Sequence, residues 1–378
     1  MKNKKRNNIF SFKQGKSIII FSLSENYNFM KKIFFTIVIS IIISLIIVES
    51  LSRIIVKPPK YSQLNKRYRL FEENKIFKNL DNFFLYYPNK KILSEGYYDI
   101  NKKFIKEYSF TLSTNNLGLV QDNNLNQNQE SILFLGDSFT EGHGSYAWIN
   151  KFKGSYNNFQ VINGGILGTG PAQFYNLENY LSKQLNVKKV IFIFIGDDFQ
   201  RKVYTIPKRV QKCLENQKKC IGDEKVYGFN KKNQEEINLY LSKLKKYRIN
   251  NLNIIRKLKN QLKGLNIISI PSSYYESNFR KNYDSNFKLN LEKTDKLIEK
   301  YNKNIIFVRL NTKQEILIGK SYWSNIAEDE IKKRNKKIHF CNFKNDINLF
   351  YKYDGHPNNA GYDYLYDCIL EILNKEIN

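Results

Sequence analysis

Residues 132–144 read ILFLGDSFTEGHG, a short apolar run that stops at Gly136-Asp137-Ser138 and continues into a polar, glycine-rich segment. A continuous apolar run of this kind suits a strand buried on both faces, as in a parallel sheet. Asp and Ser are favoured helix N-caps, so one reading is simply a strand end turning into a helix. The other makes Ser138 a reactive hydroxyl beyond a strand end. Short motifs match by chance, and the rest of the chain has to discriminate.

Further apolar runs repeat the pattern. Phe159–Ile162 ends in NGGILGTGPAQ (163–173), VIFIFIG (190–196) is the most strand-like stretch in the chain, and NIIFVRL (304–310) follows later. Between them AQFYNLENYLSKQL (172–185) has apolar residues at helical spacing, and AGYDYLYDCILEIL (360–373) reads as a closing helix. Alternation of strand and helix implies an α/β domain with a central parallel sheet covered by helices. In such sheets ligands bind beyond the carboxyl ends of the strands, so the loops after Leu135, Ile162 and Ile195 and before the last helix are where chemistry belongs. SFTLSTNNLGLV (109–120) reads as a strand and turn that opens this domain, and the lysine-rich stretch 231–267 as an exposed helical insertion. The organisation expected is a cytoplasmic N-terminal segment 1–32, a transmembrane anchor 33–56, a stalk and lead-in 57–108 entered through VKPPKYS (56–62), and a domain 109–378 with a helical insertion around 221–295.

The chain has 378 residues, 42% of them hydrophobic, which is a globular composition large enough for a sizeable core. A formal charge of +27 invites a nucleic-acid reading. The lysines are spread along the whole chain, however, without zinc-finger spacing, a helix-turn-helix pattern or an RNP-like aromatic strand. The charge therefore reads as solvated surface, and no nucleic-acid partner is expected.

One segment stands apart. IFFTIVISIIISLIIV (33–48) carries no charge. As a helix it rises roughly 24 Å, and continuing to Val56 lengthens it towards the ~30 Å hydrocarbon core. MKKIFFTIV from Met30 has the form of a basic n-region and apolar h-region, but no Ala-x-Ala site follows, so an uncleaved transmembrane anchor is expected. Met30 also qualifies as an initiator. Basic residues flank the segment on both sides, so the positive-inside bias is weak. Cys213, Cys220, Cys341 and Cys368 allow three disulfide pairings, of which 213–220 with 341–368 is the most local. Zinc ligation is the rival, although these spacings are not CxxC-like. Two disulfides would place the bulk of the chain outside the cytoplasm, in an oxidising compartment.

A serine hydroxyl is a weak nucleophile until a base takes its proton, and the base works best when an acid orients it. The chain has 3 histidines. His339 lies inside an apparent strand, and His143 sits where a helix after Ser138 would rotate it away. His356, in YDGHPNNAGY (353–362) before the last helix, follows Asp354 by two residues. The expected constellation is Ser138 as nucleophile, His356 as base and Asp354 as orienting acid, with the Ser138 N–H and the turn Gly164–Gly170 offering donors to an oxyanion.

GDSF (136–139), NGGILG (163–168), GDD (196–198) and DGHPN (354–358) occur in the order and spacing of the SGNH/GDSL hydrolase superfamily, which the chain resembles over residues 109–378. That family contains esterases, lipases, carbohydrate deacetylases and some O-acetyltransferases. The resemblance implies a three-layer flavodoxin-like fold with Ser138, His356 and Asp354 as triad. Gly168, closing the Asn163-x-Gly165-x-x-Gly168 pattern, would be the backbone oxyanion donor, and neither a metal nor a cofactor is implied. Two positions depart from the pattern. Asp197 stands where the family usually has an asparagine donor, so that it is either protonated in a site shared with Asp198 or has another role. Arg201 would then neutralise Asp197 or meet an acidic substrate. The acid and histidine are spaced Asp-x-His rather than Asp-x-x-His. The expected function is acyl-ester chemistry on a cell-surface carbohydrate, as esterase, deacetylase or O-acetyltransferase, from a membrane-anchored, extracytoplasmic domain. The alternative is a catalytically weakened domain that binds glycan.

Overall fold

The computed structural model describes residues 31–44, 47, 67–72, 76–100, 103–156, 158–203, 205–206, 225–226, 235–239, 241–242 and 272–377, with only the backbone of 225–226, 272–284 and 377. Met30, most of the insertion and the Cys213–Cys220 pairing lie outside these residues. The chain divides into two compact units, of which the larger runs over Lys60–Asn251 and Asn266–Asn378.

In the smaller unit, residues 31–44 are helical, and Phe34, Phe35, Ile41, Ile42 and Ile43 are more than half exposed. Thr36 Oγ1 returns a hydrogen bond of 2.9 Å to the carbonyl of Lys32, which removes a polar group from the surface of this helix. Among the described residues no helix is long and apolar enough to cross a membrane; of the expected anchor 33–56, only 33–44 and 47 are described.

The larger unit begins with an antiparallel sheet. Its strands are β1 (Arg67–Phe71), β4 (Lys91–Ile100) and β5 (Lys103–Ser113), with a hairpin of β2 (Phe77–Leu80) and β3 (Phe83–Tyr86) between the first two. Of the expected stalk and lead-in 57–108, the part described from Arg67 onwards is largely sheet, and VKPPKYS lies outside the described residues. One face buries Tyr68, Leu70 and Tyr97 against Ile237 and Leu241, and the other carries Phe71, Phe110 and Leu112 into the main core. With both faces covered, β4 is buried almost throughout, and the alternation expected of a half-exposed strand disappears.

The central sheet is parallel. It contains β6 (Glu130–Gly136), β7 (Gln160–Gly165), β8 (Asn186–Phe194), β10 (Ile305–Leu310) and β11 (Ile338–Cys341), while the two-residue β9 (Lys225–Val226) extends the first sheet beside β1. The order β7-β6-β8-β10-β11 is the 2-1-3-4-5 order of flavodoxin-like folds, with its switch point between β6 and β8. Its strands alternate sides. Leu133, Leu135, Val190, Phe192 and Phe307 pack with α2 (Pro171–Leu181) and α3 (Ser272–Tyr301) on one face. Ile132, Phe134, Ile191, Ile193 and Val308 pack on the other with Trp148, Phe152 and the closing helix α6 (Asn359–Ile377). This gives three layers. Helix α3 buries Phe287 and Leu297 beneath the sheet, so the C-terminal part of the expected insertion is a core helix. Cys341 and Cys368 form a disulfide that ties β11 to α6. Closing a loop of 27 residues is worth about 3–4 kcal/mol through the unfolded chain.

Candidate active site

Strand β6 ends at Gly136, and the chain turns at once into the one-turn helix α1 (Ser138–Glu141). Asp137 is its N-cap, accepting the Phe139 N–H at 2.9 Å, so both readings of the Asp-Ser pair hold: the acid caps and the serine takes the first helical position. There the Ser138 N–H has no intrahelical acceptor. Gly136 and Gly165 let β6, β7 and α1 approach closely. A Cβ on Gly136 would collide with Thr140, and one on Gly165 with the backbone of Thr140 and Glu141.

From the far end of the chain, the loop before α6 brings His356 Nε2 to 2.8 Å from Ser138 Oγ. His356 Nδ1 meets Asp354 Oδ1, and the same carboxylate oxygen accepts the His356 backbone N–H at 3.1 Å. That pairing of ring and backbone bends the loop enough to span the short Asp-x-His spacing. Asp354 is buried, which alone would push its carboxyl up. His356, Arg67 and Arg69 outweigh burial and hold it well below the usual carboxylate range. Its outer oxygen, Oδ2, accepts from Tyr98 Oη at 2.6 Å and pairs with Arg67 Nη1 at 3.4 Å.

The glycine-rich turn divides its labour. Gly168 sits beyond the carboxyl end of β7 with φ of 76° and open space where a Cβ would point, so its backbone is accessible. Asn163 does not face the cleft: it is fully buried, its amide donates to the Val120 carbonyl at 2.8 Å and its oxygen accepts the Gly165 N–H at 3.0 Å. Neither Asn163 nor Gly165 therefore offers a donor to substrate.

The acidic segment after β8 is also sorted by burial. Asp198 is buried, accepts the Ile195 N–H at 3.0 Å and pairs with Arg201 at 2.7 Å. Arg201 also reaches Asp137 at 2.9 Å and the Thr169 carbonyl at 2.7 Å. Arg201 thus clasps the loops after β6, β7 and β8 together with its side chain 24% exposed, whereas the Asp198 side chain is fully buried. One of the two expectations puts a protonated Asp197 in a site shared with Asp198; no hydrogen bond joins the two carboxyls, and Asp198 is held by Ile195 and Arg201. Asp197 itself is exposed, and partial desolvation raises its carboxyl above the usual value while Arg201 and Arg309 pull it down.

Several residues here were missed from sequence. His143 is buried with its ring centroid 4.6 Å from that of His356, and its Nε2 lies 3.2 Å from Tyr108 Oη. Burial, then Arg69 and His356, hold its imidazole well below the ordinary histidine value, so it stays neutral. Tyr362 Oη, on α6, donates to the His143 carbonyl at 3.0 Å. His339 lies in β11, 3.1 Å from Glu376 and away from this group, as expected. A cavity of about 330 Å³ lies beyond the end of α1, walled by Phe110, Leu112, Glu141, Gly142, Tyr146 and Lys151, and none of the Ser138, His356 and Asp354 side chains lines it.

No protein-family model matches the chain, and no curated protein sequence matches it significantly. Solved structures do. A lipase/acylhydrolase from Enterococcus faecalis is 11% identical with a TM-score of 0.32, over 65% of this chain and 96% of that one. A lipolytic protein of the G-D-S-L family from Veillonella parvula is 14% identical with a TM-score of 0.31, over 65% of this chain and 98% of that one. The esterase EstA from Pseudoalteromonas is 14% identical with a TM-score of 0.30, over 65% and 98% of the two chains. The solved structures to which this chain is similar bear the names of lipases, acylhydrolases and esterases, several of them of the GDSL or SGNH type.

Proposed function

We propose that the chain is a serine-dependent acyl-ester enzyme of the SGNH/GDSL kind, an esterase, deacetylase or O-acyltransferase acting on carbohydrate esters. The observation that carries this reading is the hydrogen-bonded series Ser138, His356, Asp354, drawn from two distant parts of the sequence and assembled at the switch point of the sheet. In the reaction Ser138 Oγ adds to the ester carbonyl carbon while His356 Nε2 takes the hydroxyl proton. Asp354, held ionised, stabilises the imidazolium that forms. The Ser138 and Gly168 N–H groups donate to the oxyanion, and His356 returns the proton to the departing alkoxide. Water or a sugar hydroxyl then attacks the acyl-serine, with His356 again as base.

Two observations support a setting at the outer side of a membrane. The disulfide Cys341–Cys368 fits an oxidising compartment. The exposed apolar helix at 31–44 fits hydrocarbon better than water. Incubation of the full chain in detergent with an aryl acetate, with and without oligosaccharide, tests the reading. Acyl release that Ser138→Ala abolishes supports it, and acyl transfer to the oligosaccharide selects the transferase. Release unaffected by Ser138→Ala contradicts it. Asp197 favours a second reading, a glycan-binding domain with weakened catalysis, because an exposed carboxylate stands at the position where the family pattern supplies an asparagine donor to the oxyanion.

A further inference from the structure

We propose that the antiparallel sheet preceding the α/β core is part of the catalytic apparatus, with Tyr98 as a positioning residue that fixes Asp354 for His356 and Arg67 as its electrostatic partner. This rests on the triad reading above and adds residues that no part of the four sequence blocks contains.

The register of the sheet makes the arrangement. Arg67 on β1 lies directly opposite Tyr98 on β4, and Arg69 opposite Gly96, so these positions share one face. Gly96 in turn lies opposite Tyr108 on β5 and leaves the room that the Tyr108 ring fills. Between Tyr108 and Lys106 the register shifts by one residue, and the extra residue is Glu107. Each element then grips the loop that carries the acid and the base. Glu107 accepts the backbone N–H groups of Lys352 at 2.7 Å and Tyr353 at 3.1 Å. Tyr98 donates to Asp354 Oδ2 at 2.6 Å, and its ring lies 5.9 Å from that of Tyr353. Arg69 and Tyr108 stand behind the His143 ring that packs on His356.

A carboxylate two residues from its histidine is closer in sequence than the family pattern provides, and its free oxygen needs a fixed partner to stop rotation about Cβ–Cγ. Tyr98 is that partner. The charged and titratable groups facing Asp354 are His356 on its own loop, Arg67 and Arg69 from β1, Tyr98 from β4, Glu107 and Tyr108 from β5, His143 after α1, Tyr351, Tyr362 from α6, and Lys313 from the helix Lys313–Ile318. With His356, the two arginines hold the Asp354 carboxyl well below the usual carboxylate range, so the acid stays ionised beside the base.

The test is the rate at which a fluorophosphonate labels Ser138 in the full chain, measured from pH 5 to 9. The rate constant reports the nucleophile and its base, and the final amplitude reports how much protein is folded. Tyr98→Phe keeps the ring and removes one hydrogen bond to a charged group, so the rate constant falls by about tenfold to a hundredfold at full amplitude. Arg67→Gln moves the acid limb of the pH profile upwards, and Arg67→Lys restores it. A merely structural role would lower amplitude and leave rate constant and limb in place, and that result overturns the proposal. Should Tyr98→Phe not fold, an unmoved limb in Arg67→Gln overturns it equally. Absence of any Ser138 labelling in the unaltered chain is a different failure, of the triad reading itself.

Discussion

Gly142, with φ of 87°, ends α1 after a single turn and carries His143 back against His356. A longer helix would have rotated it away, and nothing in the spacing from Ser138 announces a helix of one turn; the glycine after Glu141 was the available signal. His143 has a folded pKa far below its unfolded value near 6.5, so its contribution to stability is complete above that value and is lost as pH falls below it. Thermal melts from pH 7.5 to 5.5 should show a loss approaching 1.4 kcal/mol per pH unit from this group. His339 is lowered too and acts in the same direction, so His143→Phe should flatten the slope in part. If position 197 faces the oxyanion as in the family pattern, Asp197→Asn replaces a charge that repels it with an amide donor. Its kcat on an aryl acetate should rise severalfold, and a fall would show that the carboxyl group itself works in the reaction.

Among the elements, four of the five parallel strands were legible because each holds an apolar run, and β6, β7 and β8 end in unusual residues at the carboxyl end. Of the antiparallel sheet only the end of β5, within SFTLSTNNLGLV, was. KILSEGYYDI (91–100) is buried on both faces by residues far away in sequence, so neither a long apolar run nor a period of two betrays it. Its register against Arg67 and Tyr108 is tertiary information, and so is the contact of that face with Asp354. The same limit hid the roles of Asn163, Asp198 and Arg201, whose chemistry suits a cleft but whose hydrogen bonds and ion pairs hold loops together. The β7–α1 contact is close enough for a single added atom to disturb it. Gly165→Ala drives a methyl group into the backbone of α1 and should cost about 1–3 kcal/mol in denaturant unfolding, with a loss of turnover beyond what stability explains, because the strain falls on Ser138. Stability and turnover unchanged by this methyl group would mean that α1 moves freely, against the close packing seen here.

At the scale of the whole molecule, the anchor reading predicts that the full chain stays with the membrane fraction through alkaline extraction. Replacing Ile41 and Ile42 by Lys should release it, since each charge near a helix centre costs about 2.5–3.5 kcal/mol on insertion. Release of the unaltered chain would leave the apolar helix without that explanation. The spread of positive charge that argued against nucleic acid in the sequence says little about substrate, because the arginines nearest the site, Arg67, Arg69 and Arg201, are engaged within the protein. What the account claims above all is that a hydroxyl from residue 138 and an imidazole from residue 356 act as one unit. The most direct measurement is peptide mapping of the full chain after fluorophosphonate treatment. The account predicts a single adduct on Ser138 that His356→Ala suppresses by several orders of magnitude at pH 7. An unmodified Ser138, or labelling that survives the loss of His356 undiminished, would contradict it.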